Sequence, residues 1–132
     1  MWWGIAGATN ARCELDVRVG GAWRIEMRTA DATILPNGGK YLGVVANQRL
    51  VYSDDPDPDS PAWRNTSPPG TIVNTVTFHD DGEGTRVELC IRFASAADHD
   101  RLVGYGMRSG IEQGLDRFAR LAINIQNKET EA

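Results

Sequence analysis

This sequence of 132 residues lacks the features typical of nucleic-acid-binding, membrane-spanning and secreted proteins. It has no run of basic residues: 14 scattered basic residues stand against 18 acidic ones, and the net charge of −4 argues against nucleic-acid binding. No apolar stretch approaches the roughly 18 residues that cross a bilayer. No basic segment followed by an apolar run opens the chain. We therefore expect a cytoplasmic protein with no membrane span.

Cysteine is scarce, and its two occurrences are poorly placed for a disulfide or a metal site. Cys13 is in phase with the apolar residues of one predicted strand, and Cys90 with the charged residues of another. A disulfide needs Cβ atoms within about 4.5 Å, which a pair on opposite faces of a sheet does not achieve. No Cys-x-x-Cys or Cys-x-x-His occurs. We expect two free thiols and neither a metal nor another cofactor.

Proline is scarce except in one segment. Residues 54–70 contain five of the six prolines and four aspartates, so neither a central strand nor a helix can run there. The aspartates, at positions 54, 55, 57 and 59, could offer oxygen ligands to calcium. The glycine and the distal glutamate that calcium loops need are not placed here. A solvated loop is the favoured interpretation.

Strand-like alternation fills the first half of the chain. Charged and apolar residues alternate over residues 12–19 and again over 23–28, the period of two that marks half-buried strands. Gly20-Gly21 between them can supply the positive φ angles of a two-residue hairpin turn. The same criteria predict two further hairpins, with strands over residues 40–46, 49–53, 71–79 and 85–93. The sequence thus predicts six antiparallel strands.

A long helix is predicted after the last strand. Ser95 and Asp98 have the spacing of a capping box, which satisfies free amides at a helix start. Apolar residues then recur every three or four positions, as one face of a helix requires. They are Met107, Ile111, Leu115, Phe118, Leu121, Ala122 and Ile125. We expect this stripe to cover the sheet.

Glycine is frequent in this predicted helix. Each glycine in a helix interior costs up to about 1 kcal/mol relative to alanine, and four occur, at positions 104, 106, 110 and 114. A kink near Gly104-Gly106 or space left open beneath the helix would explain them. No repeat or domain boundary is visible, so residues 1–132 are predicted to form one domain with a frayed tail over 127–132.

Three hairpins followed by one helix describe an α+β fold, in which a curved antiparallel sheet of six to seven strands wraps around a long C-terminal helix. Short motifs occur along it in order: Trp2-Trp3-Gly4, Asp16-x-Arg18-x-Gly20-Gly21-x-Trp23-Arg24, Tyr41-x-x-Val44-Val45, Arg49-Leu50-Val51-Tyr52, Gly84-Thr85-Arg86-Val87 and Leu115-Asp116-Arg117. In this order the chain resembles the START-like helix-grip (SRPBCC) superfamily. Within it, the chain resembles the group named for the activator of the heat-shock-protein-90 ATPase.

The resemblance implies a small hydrophobic or aromatic ligand, held in a cavity between the sheet and the C-terminal helix. The residues predicted to line it are Trp23, Met27, Tyr41, Asn74, Phe78, Met107 and Ile111. Ordinary core packing is the alternative for each apolar residue, and no catalytic residue is assigned. Two other functions stay open. One is a cyclase- or aromatase-like enzyme using Tyr41, Tyr52 and Asn74, and the other is stimulation of the chaperone's ATPase.

In the family that the chain resembles, a strand and a helical segment precede the Trp-Trp-Gly motif, and that first strand lies beside the last. Both are missing ahead of Trp2, so we expect either an upstream start or cover from another subunit. The strands at residues 12–19 and 85–93 should then be open edges. Open edges pair readily with another chain, so a homodimer is expected. Ile5 and Ile111 replace the usual proline and tryptophan, which would alter the cavity lining.

Overall fold

The computed structural model describes residues 8–63 and 66–131, with side chains as far as residue 125. Six strands pair in sequence order into one open antiparallel sheet, and two helices follow it. The elements are β1 (Thr9–Leu15), β2 (Ala22–Arg28), β3 (Ile34–Val45), β4 (Arg49–Asp54), β5 (Ile72–Asp81), β6 (Gly84–Arg92), α1 (Ala96–Gly104) and α2 (Met107–Glu131). The predicted α+β fold is confirmed. The Trp2-Trp3-Gly4 motif and Ile5 lie outside the described residues.

The two faces of the sheet differ in exposure, and β2 shows the difference best. Trp23, Ile25 and Met27 are 6%, 8% and 6% exposed, whereas Arg24 and Arg28 are exposed. Successive side chains of a strand point to opposite faces. The face that carries Trp23 is therefore buried, and we name it the inner face of the sheet.

The first hairpin has a longer connection than the sequence predicts. β1 ends at Leu15, earlier than expected, and residues 16–21 form a curled loop. In this loop Gly20 has a φ of +83°, and the N–H of Gly21 donates to the carbonyl of Arg18 over 2.8 Å. The pairing of β1 with β2 is confirmed. The prediction of a two-residue turn is wrong, because the longer loop closes through hydrogen bonds between its own residues.

Gly38-Gly39 lies inside β3 rather than at its start, because the strand already begins at Ile34. At Gly39 an added Cβ would lie 1.8 Å from the carbonyl oxygen of Ser53 and 2.9 Å from Nε1 of Trp23. Such distances are far shorter than any van der Waals contact. Glycine is thus required at this position, where β4 and the Trp23 side chain both approach β3.

The second and third hairpins turn where the sequence predicts. Asn47 and Gly82 adopt the positive φ angles that these turns need, 61° and 67°. The proline-rich loop after β4 contains one short 3-10 turn, Pro61–Trp63. It is tied to α1, since the N–H of Gly70 donates to the carboxylate of Asp98 over 2.9 Å. The C-terminal end of this loop is therefore fastened to α1.

β1 and β6 form the two open edges of the sheet, as predicted. Both are well exposed: Leu15 of β1 is 55% exposed and Val87 of β6 is 38% exposed. The alternation over residues 12–19 therefore does not mark a half-buried strand. In the described part of the chain no strand lies beside either edge. Each edge presents backbone N–H and C=O groups that another strand could pair with.

The predicted single helix is divided into α1 and α2 at Gly106. This residue has a φ of +89°, a conformation that residues with a side chain rarely adopt. The kink expected here is therefore confirmed, and a Cβ at Gly104 or Gly110 would meet no neighbour. Ser95 caps α1 as predicted, its Oγ accepting the N–H of Asp98 over 3.1 Å.

The apolar stripe of α2 is covered only in part. Met107 and Ile111 are half-buried, whereas Leu115, Leu121 and Ile125 are 38%, 42% and 50% exposed. The expectation that the whole stripe covers the sheet is wrong for these three residues. The accessible surface of the chain is 9016 Å², whereas a compact monomer of 14.5 kDa has about 6,900 Å². Open edges and the exposed part of α2 contribute to this excess.

Replacing Gly39 with alanine should lower the free energy of unfolding by about 3 kcal/mol, because the new methyl group overlaps the Ser53 carbonyl and displaces the indole of Trp23. Urea unfolding followed by tryptophan fluorescence measures the loss. Gly43→Ala is the matched control in the same strand, since its methyl group would meet Val51 at an ordinary 3.5 Å. Equal losses for the two variants would contradict the close approach at Gly39.

Candidate functional site

The register of the sheet places aromatic and polar side chains in one row on the inner face. Trp23 of β2 lies opposite Gly39 of β3. On the same face, Tyr41 pairs with Tyr52, and Tyr52 pairs with Asn74. Side chains of directly opposed residues lie on the same face of a sheet. Trp23, Tyr41 and Asn74 are only 6%, 6% and 7% exposed, so the row is buried along most of its length.

Three rings of this row contact one another edge to face. The ring centroids of Trp23 and Tyr52 are 5.8 Å apart at 87°, and those of Tyr41 and Tyr52 are 6.3 Å apart at 63°. The indole N–H of Trp23 donates to the Ser53 carbonyl over 2.8 Å, which fixes the ring in place. Edge-to-face pairs add about 0.5–1.5 kcal/mol each beyond their burial. The result is a stiff aromatic surface across β2, β3 and β4.

Asp54 extends this row, and sequence reasoning missed it. The sequence predicts a solvated loop from residue 54 onward, whereas Asp54 is the last residue of β4 and pairs with Ile72. Two residues after Tyr52, it lies on the inner face and is half-buried. Burial raises the pKa of Asp54 to about 6, and the charge of Asp55 adds to the shift. The alternation Leu50-x-Tyr52-x-Asp54 was the available signal, which the prolines that follow obscured.

Four polar groups of the row have no hydrogen bond to any residue that the structure describes. They are the hydroxyls of Tyr41 and Tyr52, the side-chain amide of Asn74 and the carboxylate of Asp54. Their polar atoms are open to solvent, because among the described residues the one buried side-chain polar atom without a partner is Oδ1 of Asn10. Burial raises the pKa of both tyrosines, which keeps their hydroxyls protonated. The row can therefore donate and accept hydrogen bonds from one surface.

The other four predicted site residues lie outside this row. Met27 is buried on β2 and Phe78 is half-buried on β5. Each is four residues along its strand from a member of the row, a distance of about 13 Å. Met107 and Ile111 are half-buried on the first turns of α2. The structure thus groups Trp23, Tyr41 and Asn74 in one row, with Met27 and Phe78 farther along the strands and Met107 and Ile111 on α2.

An open depression of about 540 Å³ lies elsewhere, between the β2–β3 connection and the 3-10 turn. Its lining shares no residue with the predicted site and consists of Thr29, Ala30, Asp31, Thr33, Leu35, Pro61 and Ala62. The carboxylate of Asp31 already accepts the N–H of Thr33 over 3.2 Å, and it also binds the hydroxyl of Thr29. The one carboxylate of this depression therefore already has hydrogen-bond partners. The row on the inner face is the stronger candidate site.

Neither the thiols nor the acidic residues form a second candidate site. Cys13 and Cys90 are free and exposed, and they lie on opposite faces, Cys13 opposite Ile25 and Cys90 opposite Thr75. Among the described residues no three of His, Cys, Asp and Glu are grouped to hold a metal ion. No helix in that part of the chain is long and apolar enough to cross a membrane.

Comparison with known proteins agrees with this architecture. The model of a family described as Activator of Hsp90 ATPase homolog 1-like protein matches residues 1–122. A solved structure from Nitrosomonas europaea is 17% identical with a TM-score of 0.79, over 96% of this chain and 79% of that one. One from Mycobacterium smegmatis is 18% identical with a TM-score of 0.74, over 91% and 72%. One from Chromobacterium violaceum is 24% identical with a TM-score of 0.71, over 91% and 76%. No curated protein matches the chain.

Replacing Asp54 with asparagine should stabilise the fold at neutral pH. The pKa of this carboxyl is about 6 in the folded chain and near 3.8 in the unfolded chain. Between these values the folded chain holds a proton that the unfolded chain has released, so the free energy of unfolding contributed by this group falls as pH rises. We expect Asp54→Asn to gain about 1–3 kcal/mol at pH 7.5 and almost nothing near pH 4.

Urea unfolding across this pH range measures the effect. Asp59→Asn, which removes an exposed charge from the same acidic segment, is the control and should change stability little. A variant at position 54 that is less stable than the wild type at pH 7.5 would mean that the carboxylate has a stabilising partner.

Proposed function

We propose that this chain, which belongs to the Activator of Hsp90 ATPase homolog 1-like family of START-like helix-grip proteins, binds a small hydrophobic or aromatic molecule. The ligand lies on the inner face of the sheet, on the side of the C-terminal helix. The lining comprises Trp23, Met27, Tyr41, Asn74, Phe78, Met107 and Ile111, to which Tyr52 and Asp54 are added. The observation that carries the proposal is a row of accessible polar groups, which have no hydrogen bond to any described residue, beside an aromatic surface.

The row has the composition of a small-molecule site. Such sites combine an apolar lining with a few polar groups that orient the ligand. Here the rings of Trp23, Tyr41 and Tyr52 supply flat apolar contact, and the amide of Asn74 supplies one donor and one acceptor. A ligand on this surface can form hydrogen bonds with these groups, whose polar atoms are accessible. A cyclase- or aromatase-like enzyme would use the same surface and is the alternative within this site.

Thermal-shift measurements against a library of lipids and aromatic compounds should give ligands that raise the melting temperature. For ligands with a polar substituent, Asn74→Ala should weaken binding about tenfold, the value of one lost hydrogen bond. Calorimetry measures the dissociation constants, and Asn124→Ala, at an exposed position on α2, is the control. An empty screen, together with stimulation of the Hsp90 ATPase by the chain, would replace this proposal with a co-chaperone function.

The partner that the open sheet edge accepts best is a second copy of the chain. In a hairpin with a two-residue turn, the residues that flank the turn bond to each other. The odd-numbered residues of β6, including Leu89 and Ile91, therefore direct their N–H and C=O groups toward the open edge. Two β6 strands can pair antiparallel through these groups, which joins the two sheets of a homodimer.

Two registers of this pairing place opposite charges across from each other: one is centred on Val87, with Arg86 opposite Glu88 twice, and the other is centred on Cys90. With Cys90 opposite its own copy, Glu88 lies across from Arg92 twice, and Leu89 lies across from Ile91 twice. Opposite charges facing each other across strands contribute about 0.2–1 kcal/mol per pair. Centring the pair on Glu88 would place the two Glu88 carboxylates opposite each other. Centring it on Leu89 would place Arg86 opposite Arg92 twice. We propose the register centred on Cys90, in which the two cysteines form a closely spaced pair that a disulfide can bridge.

Mild oxidation with copper phenanthroline should therefore link two chains through Cys90. Light scattering should give twice the mass of one chain, and a non-reducing gel should show the covalent dimer for the wild type and for Cys13→Ser. Cys90→Ser should remain a dimer in solution but lose the link, because the thiol itself is not needed for pairing. A monomeric mass at micromolar concentration, or a dimer linked through Cys13, would contradict this assembly.

A further inference from the structure

We infer that the ligand of the proposed site carries a positively charged amino group, which the carboxylate of Asp54 binds at the β4 end of the aromatic row. The inference rests on the proposed function and adds the chemical class of the ligand: an amphipathic amine with an aromatic or alkyl body. Geometry, electrostatics and the chemistry of the neighbouring rings each support it.

The structure brings the carboxylate and the rings to the same stretch of β4. Asp54 follows Tyr52 by two residues and shares its face. Trp23 reaches this stretch from β2, because its indole N–H bonds to the carbonyl of Ser53, the residue between them. On β5 the residue opposite Asp54 is Ile72, which is 5% exposed. The carboxylate therefore has aromatic and aliphatic neighbours.

No cation within the described residues neutralises Asp54. The adjacent acid already has partners, since the carboxylate of Asp55 accepts hydrogen bonds from the hydroxyls of Ser53 and Thr71 over 3.2 and 3.1 Å. The carboxylate of Asp54 forms neither a hydrogen bond nor an ion pair with any described residue. A half-buried carboxylate in this situation is stabilised most by a cation.

The surrounding groups favour a cation over a neutral or anionic ligand. The faces of indole and phenol rings attract ammonium groups, and the row offers three such rings. A neutral ligand would leave the carboxylate without a charge partner, and an anion would be repelled by Asp54 and Asp55. The titratable groups that face Asp54 are Tyr52 and Asp55, and neither is positive in any range of pH.

Three probes of matched size test this inference: 2-phenylethylamine, 2-phenylethanol and phenylacetate, titrated by calorimetry at pH 7.5. The amine should bind about tenfold more tightly than the alcohol, as expected for one charge-assisted hydrogen bond, and phenylacetate more weakly than either. Asp54→Asn should reduce amine binding to the level of the alcohol without changing alcohol binding. Asp54→Glu and the charge-matched control Asp59→Asn should keep the preference.

A second readout does not depend on any variant. The amine stays protonated between pH 7.5 and pH 5, whereas Asp54 becomes protonated because its pKa is about 6. The affinity of the protein for the amine should therefore fall about tenfold from pH 7.5 to pH 5, while its affinity for the alcohol stays constant.

The outcomes separate the inference from the proposed function. Equal binding of amine and alcohol by the wild type, no saturable binding of the amine, or a preference that survives in Asp54→Asn overturns the charged ligand. Ligands from the library screen would still support the binding function in each of those cases. A screen without any ligand removes the binding function itself.

Discussion

The hydrogen bond from the indole of Trp23 to the carbonyl of Ser53 is the contact on which the inner face depends. It joins β2 to β4 across β3, and it forms only because Gly39 places no side chain between them. The side chain of Ser53 is also fixed, since its Oγ accepts a hydrogen bond from the N–H of Lys40 over 3.0 Å. The same contact sets Trp23 edge to face with Tyr52. One glycine, one backbone carbonyl and one indole thus determine where the aromatic row lies.

Much of the fold could be predicted from the sequence because its signals are local. Alternation along a strand, a glycine in a turn and the cap at Ser95 each depend on a few neighbouring residues, so the order of six strands and the start of the helical segment follow. The failures came where distant residues decide. β1 ends early because Gly20 and Gly21 of the loop after it bond to Tyr41 of β3, and Gly38-Gly39 is part of a strand because β2 pairs with it.

The candidate site was predictable to the same extent. Tyr41 and Asn74 join the row because consecutive hairpins fix the register of their strands. Asp54 was missed because its environment is set by Ile72, far along the chain, while its own neighbours in sequence are proline and aspartate. The positions of Met107 and Ile111 relative to the row depend on the distance between α2 and the sheet. The helical periodicity of the sequence does not specify this distance. Composition identified the acidic segment but could not distinguish its one inward-facing member.

The break at Gly106 divides the helical segment into two cooperative units. Helical hydrogen bonding propagates from one turn to the next, and beyond a break it must nucleate again. α1 is tied to the proline-rich loop by the bond between Asp98 and Gly70, and by the bond that Arg101 donates to the Thr66 hydroxyl over 3.1 Å. Melting of turns in α2 therefore stops at Gly106. The bonds that tie α1 to the loop lie on the other side of this break, so they do not depend on the turns of α2.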